Sequence, residues 1–236
     1  TTAGTGSETG RAAVFTKEDT QEKKIIFHPK MMPSLVILDP SLTFQLPPSL
    51  TAYTGMDALT HAIEAFTNKF AVPLIDCFAL EAIQLVAEYL PCAVADGTDR
   101  EARYAMSRAS MLGGLCLGPV NTAAVHAMAY PLGGRFKVPH GIANSLLLPH
   151  VMQFNLPAAE HRYSQIAKAM RAKDPVDAVE KLSTKVGTNK QMRDYGVSND
   201  DLQSMAEDAV KVIRLMNNNP RSVSAADAFA IYQKAL

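Results

Sequence analysis

Gly-Met-Asp-Ala-Leu-Thr-His-Ala-Ile-Glu, residues 55–64, lies within Ser49–Thr67, a run with apolar side chains at three- and four-residue spacing. The run reads as a helix, so Asp57 and His61, four apart, rise from one face a single turn from each other. Downstream, His-Ala-Met-Ala-Tyr-Pro-Leu-Gly-Gly opens at His126, and Pro-His-Gly-Ile-Ala-Asn occupies 139–144. His140 follows His126 behind Pro-Leu-Gly-Gly and Pro139, an interval that can fold back so that the two imidazoles meet. One carboxylate and three imidazoles in apolar, small-residue surroundings make a cage for one divalent cation. With three neutral nitrogens and one carboxylate its net charge is near +1. Such a donor set suits iron(II), zinc or a similar metal rather than calcium or magnesium, which prefer oxygen shells. Catalysis at four protein ligands needs a fifth position for substrate or water.

Each residue also has an ordinary reading. An Asp/His pair at i, i+4 is commonly a surface hydrogen bond, and a lone histidine among apolar residues is usually a satisfied core residue. The set is stronger than its members, because three of the six histidines fall in charge-poor stretches where an unpartnered imidazole is costly. His28 and His161 read as surface residues. His150, after Leu-Leu-Leu-Pro, reads as a packed capping residue or a support to the cage.

Working outward, the first forty residues differ from the rest. Arg11–Thr16, Lys24–His28 and Ser34–Leu38 are short β-branched and apolar runs and read as strands. Asp39-Pro40 and Pro47-Pro48 mark a change of regime. Beyond them the pattern is helical over Ser49–Thr67, Pro73–Tyr89, Arg100–Gly113, Ala158–Ala172, Val176–Val186, Asn199–Met216 and Ala225–Ala235. Thr98 with Glu101, Ser198 with Asp201 and Ser224 with Asp227 read as helix-start boxes. The fold class is mostly α, with a β-rich portion over 1–45 and a helical domain over 46–236.

Lys plus Arg and Asp plus Glu both total 23, which gives no support for a nucleic-acid footprint. Cys77, Cys92 and Cys116 read as buried free thiols of a reducing compartment rather than a disulfide frame. No charged residue lies between Arg108 and Arg135, long enough to cross a bilayer. Pro119, Asn121, His126, Pro131 and several glycines would strand polar groups in lipid, so a buried, irregular, site-forming segment is expected and no membrane partner. The opening residues are polar and glycine-rich, with neither an initiator Met nor an apolar leader segment. The chain is expected to be a piece of something longer.

Several segments match, in order, the landmarks of a known family. They are Thr-Thr-Ala-Gly-Thr-Gly-Ser-Glu (1–8), Asp39-Pro40, Gly55–Glu64, His126–Gly134, Pro139–Asn144 with Leu-Leu-Leu-Pro-His (146–150), and Asn219-Pro220-Arg221. On these the chain resembles the iron-containing (group III) alcohol dehydrogenases over nearly its whole length. The resemblance implies a two-domain fold like that of dehydroquinate synthase. A Rossmann-like half binds NAD or NADP, a helical half holds the metal, and the active site lies in the cleft between them. On this reading residues 1–45 end the nucleotide-binding domain and 46–236 are the helical metal-binding domain. Asp57, His61, His126 and His140 correspond to the ligands of Fe2+ or Zn2+. Thr1, Thr5 and Gly6 belong to a loop that touches the cofactor, and Lys23 lies near its ribose. That agrees with glycines letting backbone amides approach phosphate and a lysine adding positive charge.

The implied reaction is reversible hydride transfer between a small alcohol, or its aldehyde, and NAD(P)+, in a cytoplasmic homodimer. The chain departs from the family pattern in three places. The family's Gly-Gly-Gly-Ser motif would lie upstream of Thr1, and Pro119 stands where members often show Asn. Tyr130 replaces a second histidine near the nicotinamide; a phenol of pKa about 10 shuttles protons poorly at neutral pH, though it can hydrogen-bond substrate. Residues 1–236 alone are expected to bind metal and show little dehydrogenase activity. Two alternatives share the scaffold, a polyol dehydrogenase and a hydroxyacid–oxoacid transhydrogenase. A non-catalytic helical metal-binding module is the alternative from another class.

Overall fold

Pro48 opens the central helix α1, Pro48–Thr67: its ring presets a helical φ and it lacks only an N–H that the first turn leaves unpaired. The computed structural model describes residues 1–16, 18 and 23–236; for Ala12, Val14, Thr16 and Lys23–Ile25 it describes the backbone alone. From Thr51 to Thr67 every residue of α1 except Tyr53 and Thr54 is buried, so this is a core helix and not a surface one. Its buried hydroxyls stay satisfied by bonding back one turn, Thr60 to Met56 O at 2.7 Å and Thr67 to Ile63 O at 2.9 Å.

Three helices surround α1. They are α2 (Pro73–Ala95), α3 (Arg100–Leu117) and α5 (His140–Asn155). A second group forms where α4 (Ala124–Arg135) packs on α5 and on α8 (Asn199–Val210), with α10 (Ala225–Ala235) against α8 and α5. α6 (Glu160–Ala169) leans on α2, α7 (Pro175–Lys185) on α5, and the one-turn α9 (Ile213–Met216) on α4. Met56, Leu59, Ile83, Met128, Ile142 and Leu147 are among the fully buried side chains that fuse the groups into one core. The described strands, β1 (Ala12–Thr16) and β2 (Lys23–Phe27), form an antiparallel pair with Ala12 opposite Phe27. The mostly α expectation holds.

Several expectations need correction. Ser34–Leu38 is exposed or half-buried chain with no strand partner among the described residues; branched side chains favour extension but do not supply a neighbour to bond. The stretch between Arg108 and Arg135 is largely helical: α3 runs to Leu117, a turn with Asn121 at φ 77° follows, and α4 begins at Ala124. Asn199–Met216 breaks into α8 and α9. Asp99, not Thr98, caps α3 by accepting from Ala102 N–H at 3.0 Å, while the Thr98 hydroxyl bonds Asp96. The boxes at Ser198 and Ser224 form as read. Of the cysteines only Cys116 is buried. Burial pushes its thiol up to about 12. α2 is the one described helix long and apolar enough to cross a membrane, and it is packed here against α1, α3 and α6.

Candidate metal centre

α1 presents Asp57, His61 and Glu64 at spacings of four and three, hence along one face. His126 is the third residue of α4 and His140 the first of α5, so two helix N-termini deliver their rings to that face. The three Nε2 atoms converge on a single oxygen. Asp57 Oδ1 lies 3.8 Å from His61, 3.6 Å from His126 and 3.5 Å from His140. The His61 and His126 rings stack with centroids 4.8 Å apart, and His140 meets His126 edge-on at 5.2 Å. Asp57, His61 and His126 are buried, whereas the His140 side chain is 48 % exposed and forms the open side.

All four side chains singled out from sequence therefore stand together. Four donors about 2.1 Å from a shared ion, at the corners of a tetrahedron, are about 3.4 Å apart. The spacings of 3.5–3.8 Å around Asp57 Oδ1 are close to that edge; the donor atoms of Asp57, His61 and His126 all lie within 4.8 Å of one another, with His140 at the rim of that group, and nitrogen with carboxylate oxygen is the donor set of a divalent transition metal. The residues fit such an ion.

Two further residues complete the site. Glu64 is buried, its Oε2 2.5 Å from His126 Nδ1 and its Oε1 accepting the Val125 N–H at 2.6 Å. Asn144, four residues after His140 and fully buried, donates Nδ2–H to Asp57 Oδ1 at 2.7 Å. The same Nδ2 lies 3.2 Å from His126 Nε2 and 3.3 Å from His140 Nε2. Neither residue was singled out from sequence, although extending the helical spacing by one turn from His61 or His140 reaches both. Glu64 also corrects the charge: with two buried carboxylates, a divalent ion leaves the site neutral rather than near +1.

Electrostatics inside the cage are strongly coupled. Burial works against the Asp57 carboxylate, yet the three imidazoles outweigh it and hold the group far below the usual carboxylate range. Burial drives His61 down to about 4. His126 suffers the same burial, but Glu64 and Asp57 on either side of its ring lift it to about 9.

The other predicted residues lie apart from this cluster. Tyr130 follows His126 by one turn of α4 and is 41 % exposed; partial burial of its phenol, opposed by the nearby Arg214, raises its pKa, which further weakens it as a proton shuttle. Thr1 lines a pocket of about 140 Å3 with Glu8, Asp39, Ser107 and Ser110. The Thr5 hydroxyl accepts from Ser7 N–H. Gly6 takes a left-handed φ of 57° and gives its N–H to Ser110 Oγ at 3.2 Å; a Cβ there would meet Gly114 Cα at 2.5 Å. The Lys23 side chain is outside the described residues. His28 and His161 are exposed. His150 neither caps a helix nor supports the cage: it lies within α5 near Lys234, ten residues and about 15 Å along the helix from His140.

Known proteins agree with this architecture. The profile described as Fe-containing alcohol dehydrogenase family, C-terminal, matches residues 51–236, and that of iron-containing alcohol dehydrogenase matches 1–40. The whole chain is 41% identical to 1,3-propanediol dehydrogenase of Klebsiella pneumoniae and 38% identical to the NAD-dependent methanol dehydrogenase of Bacillus methanolicus. It covers 63% and 65% of those proteins, a little under two thirds of their length. The crystal structure of a 1,3-propanediol oxidoreductase superposes on all of the chain with a TM-score of 0.96 at 41% identity, with 64% of that structure covered. Sulfoacetaldehyde reductase from Bifidobacterium kashiwanohense, solved with NAD+, gives 0.93 at 33% identity, covering 99% of this chain and 62% of that one. With a family profile spanning its helical part, this chain belongs to the iron-containing alcohol dehydrogenase family.

Proposed function

We propose that this chain is the metal-holding part of an NAD(P)-dependent alcohol dehydrogenase that interconverts a small alcohol and its aldehyde. The observation that carries the reading is the convergence of three imidazole Nε2 atoms on Asp57 Oδ1 at a half-open site. Asp57, His61, His126 and His140 hold the ion, iron(II) or zinc, which when bound supplies Lewis-acid polarisation of an alcohol or carbonyl oxygen. The chain's own groups do the rest. His61 and His126 line the dry side, His140 borders the open side through which substrate approaches, and Tyr130, one turn beyond His126 on α4, offers a hydroxyl to orient substrate.

Residues 1–45 are assigned to the nucleotide-binding side and 46–236 to the helical domain. Thr1, Thr5, Gly6 and Lys23 belong to the segments that would bind NAD or NADP, and the enzyme works as a cytoplasmic homodimer. The relatives' names support the reaction class: those cited are alcohol dehydrogenases or an aldehyde reductase, one of them NAD-dependent. Replacing His126 or His140 by Ala should abolish both metal content in this chain and, in the whole enzyme of which it is proposed to be a part, alcohol-dependent NAD(P) reduction. Turnover that survives in a variant free of metal would refute the reading.

A further inference from the structure

We infer that Glu64 is a positioning residue: it decides which nitrogen of His126 carries the ring proton, leaving Nε2 bare toward the cage. The inference rests on the cage holding a divalent ion, as proposed above. A neutral imidazole has one protonated and one bare nitrogen, and only the bare one can bind a metal. Glu64 Oε2, 2.5 Å from Nδ1, accepts a proton there and cannot donate one while ionised. His61 has no such help: its Nδ1 is buried with no hydrogen-bond partner among the described residues. Of the two fully enclosed rings, His126 alone is thus set by a carboxylate. The same carboxylate adds to the charge balance: Asp57 and Glu64, both buried, together match a divalent ion.

The rival account is that Glu64 merely caps a helix. α4 has Ala123 at its N-cap position with no side-chain cap of its own, and Glu64 Oε1 takes the Val125 N–H at 2.6 Å. Glu64→Gln separates the two roles. If the amide oxygen stays on the Val125 N–H, the amide NH2 faces Nδ1, which must then accept, and the ring proton moves to Nε2 and blocks the cage. If the amide turns over, the Val125 N–H loses its acceptor. One amide cannot serve both partners as a carboxylate does.

The test uses the 236-residue chain and zinc alone. Its zinc dissociation constant is measured by chelator competition, the melting temperature of the metal-free form is recorded, and the imidazole 15N shifts of the zinc-loaded chain are assigned. The parent should show His126 protonated at Nδ1 and bound through Nε2. Glu64→Gln should bind zinc about 10- to 100-fold more weakly. Unchanged zinc affinity in that variant together with an unchanged metal-free melting temperature would leave Glu64 a cap and overturn the inference, whereas unchanged affinity with a lowered melting temperature marks an amide turned over to keep the Nδ1 proton, which supports it. A parent spectrum with Nδ1 unprotonated, a measurement that needs no variant to fold, would also overturn it. Failure of the parent chain to bind zinc would instead sink the metal reading on which the inference stands.

Discussion

Gly141, the second residue of α5, meets the backbone of α1 so closely that a Cβ built on it would lie 2.1 Å from the carbonyl oxygen of Tyr53. The obstruction is backbone, which cannot rotate aside. His140 is the neighbouring residue, and Asp57 stands one turn beyond Tyr53, so this contact sets how near the His140 ring comes to the shared oxygen. Gly141→Ala therefore should cost about 1–3 kcal/mol through forced separation of the helices. On an unconstrained helix the same change would gain about 1 kcal/mol, so the sign is diagnostic. Urea unfolding and a zinc titration read both effects. A variant as stable as the parent with full zinc affinity would show that the contact does not set the cage.

How legible was this site from the residues alone? α1 was plain because Asp57 and His61 interrupt a strong apolar period at helical spacing, and the starts of α8 and α10 were plain because Ser198 and Ser224 have their partners three residues on. α4 and α5 were not. Every residue from Gly141 to Pro149 is buried, so α5 has no polar face there to give its sequence a period, and Pro131 and Pro149 sit inside helices that proline ordinarily breaks. Glu64 was missed for a different reason. An acid near the end of a helix ordinarily faces water, and only the arrival of α4 from 61 residues away makes it a buried partner of His126. Propensity is local, but partners are not.

The C-terminal helix offers a pH-dependent test. Ser224 Oγ and N–H donate to Asp227 Oδ2 at 2.6 and 2.9 Å, and the hydroxyl is the main reason that carboxyl lies below its usual range. Because the folded value is depressed, the stabilisation is complete above the unfolded value near 3.9 and is lost as pH falls through the folded one. Ser224→Ala should cost about 1 kcal/mol at pH 7. Asp227→Asn should also be less stable than the parent at pH 7, with the gap closing as acid protonates the parent's Asp227. A gap that stays constant down to pH 2 would contradict this. The effect extends inward, since α10 carries the buried Tyr232, whose hydroxyl donates to Met128 O of α4 at 2.6 Å.

Arg103 buckles the start of the helical part. Only 2 % exposed, it reaches Gly97 O at 2.8 Å, Thr51 Oγ1 at 2.8 Å and Leu46 O at 3.3 Å, and it has no carboxylate in ion-pair contact among the described residues. Its fork ties the lead into α1 to the turn before α3. A lysine keeps the charge but not the fork, so Arg103→Lys should lose about 2–3 kcal/mol, nearly as much as Arg103→Met. Thermal melts of both variants decide the matter. A lysine variant melting with the parent would mean that charge alone suffices.

Metal removal should loosen the chain without unfolding it, because the apolar packing of α1, α2, α3 and α5 does not pass through the cage. At a hundredfold excess of free zinc over its dissociation constant, binding to the folded state alone adds about 2.7 kcal/mol. At roughly 2–4 °C per kcal/mol for a chain of this size, the melting temperature should rise by about 5–10 °C and fall back on chelation. Asp57→Asn preserves the shape of the side chain while removing the charge on which all three imidazoles converge. That variant should lose the zinc-dependent rise altogether while still melting cooperatively in the metal-free form. Should the rise persist in Asp57→Asn, the ion would be held elsewhere, and the convergence on Asp57 Oδ1 would be a packing arrangement without a ligand.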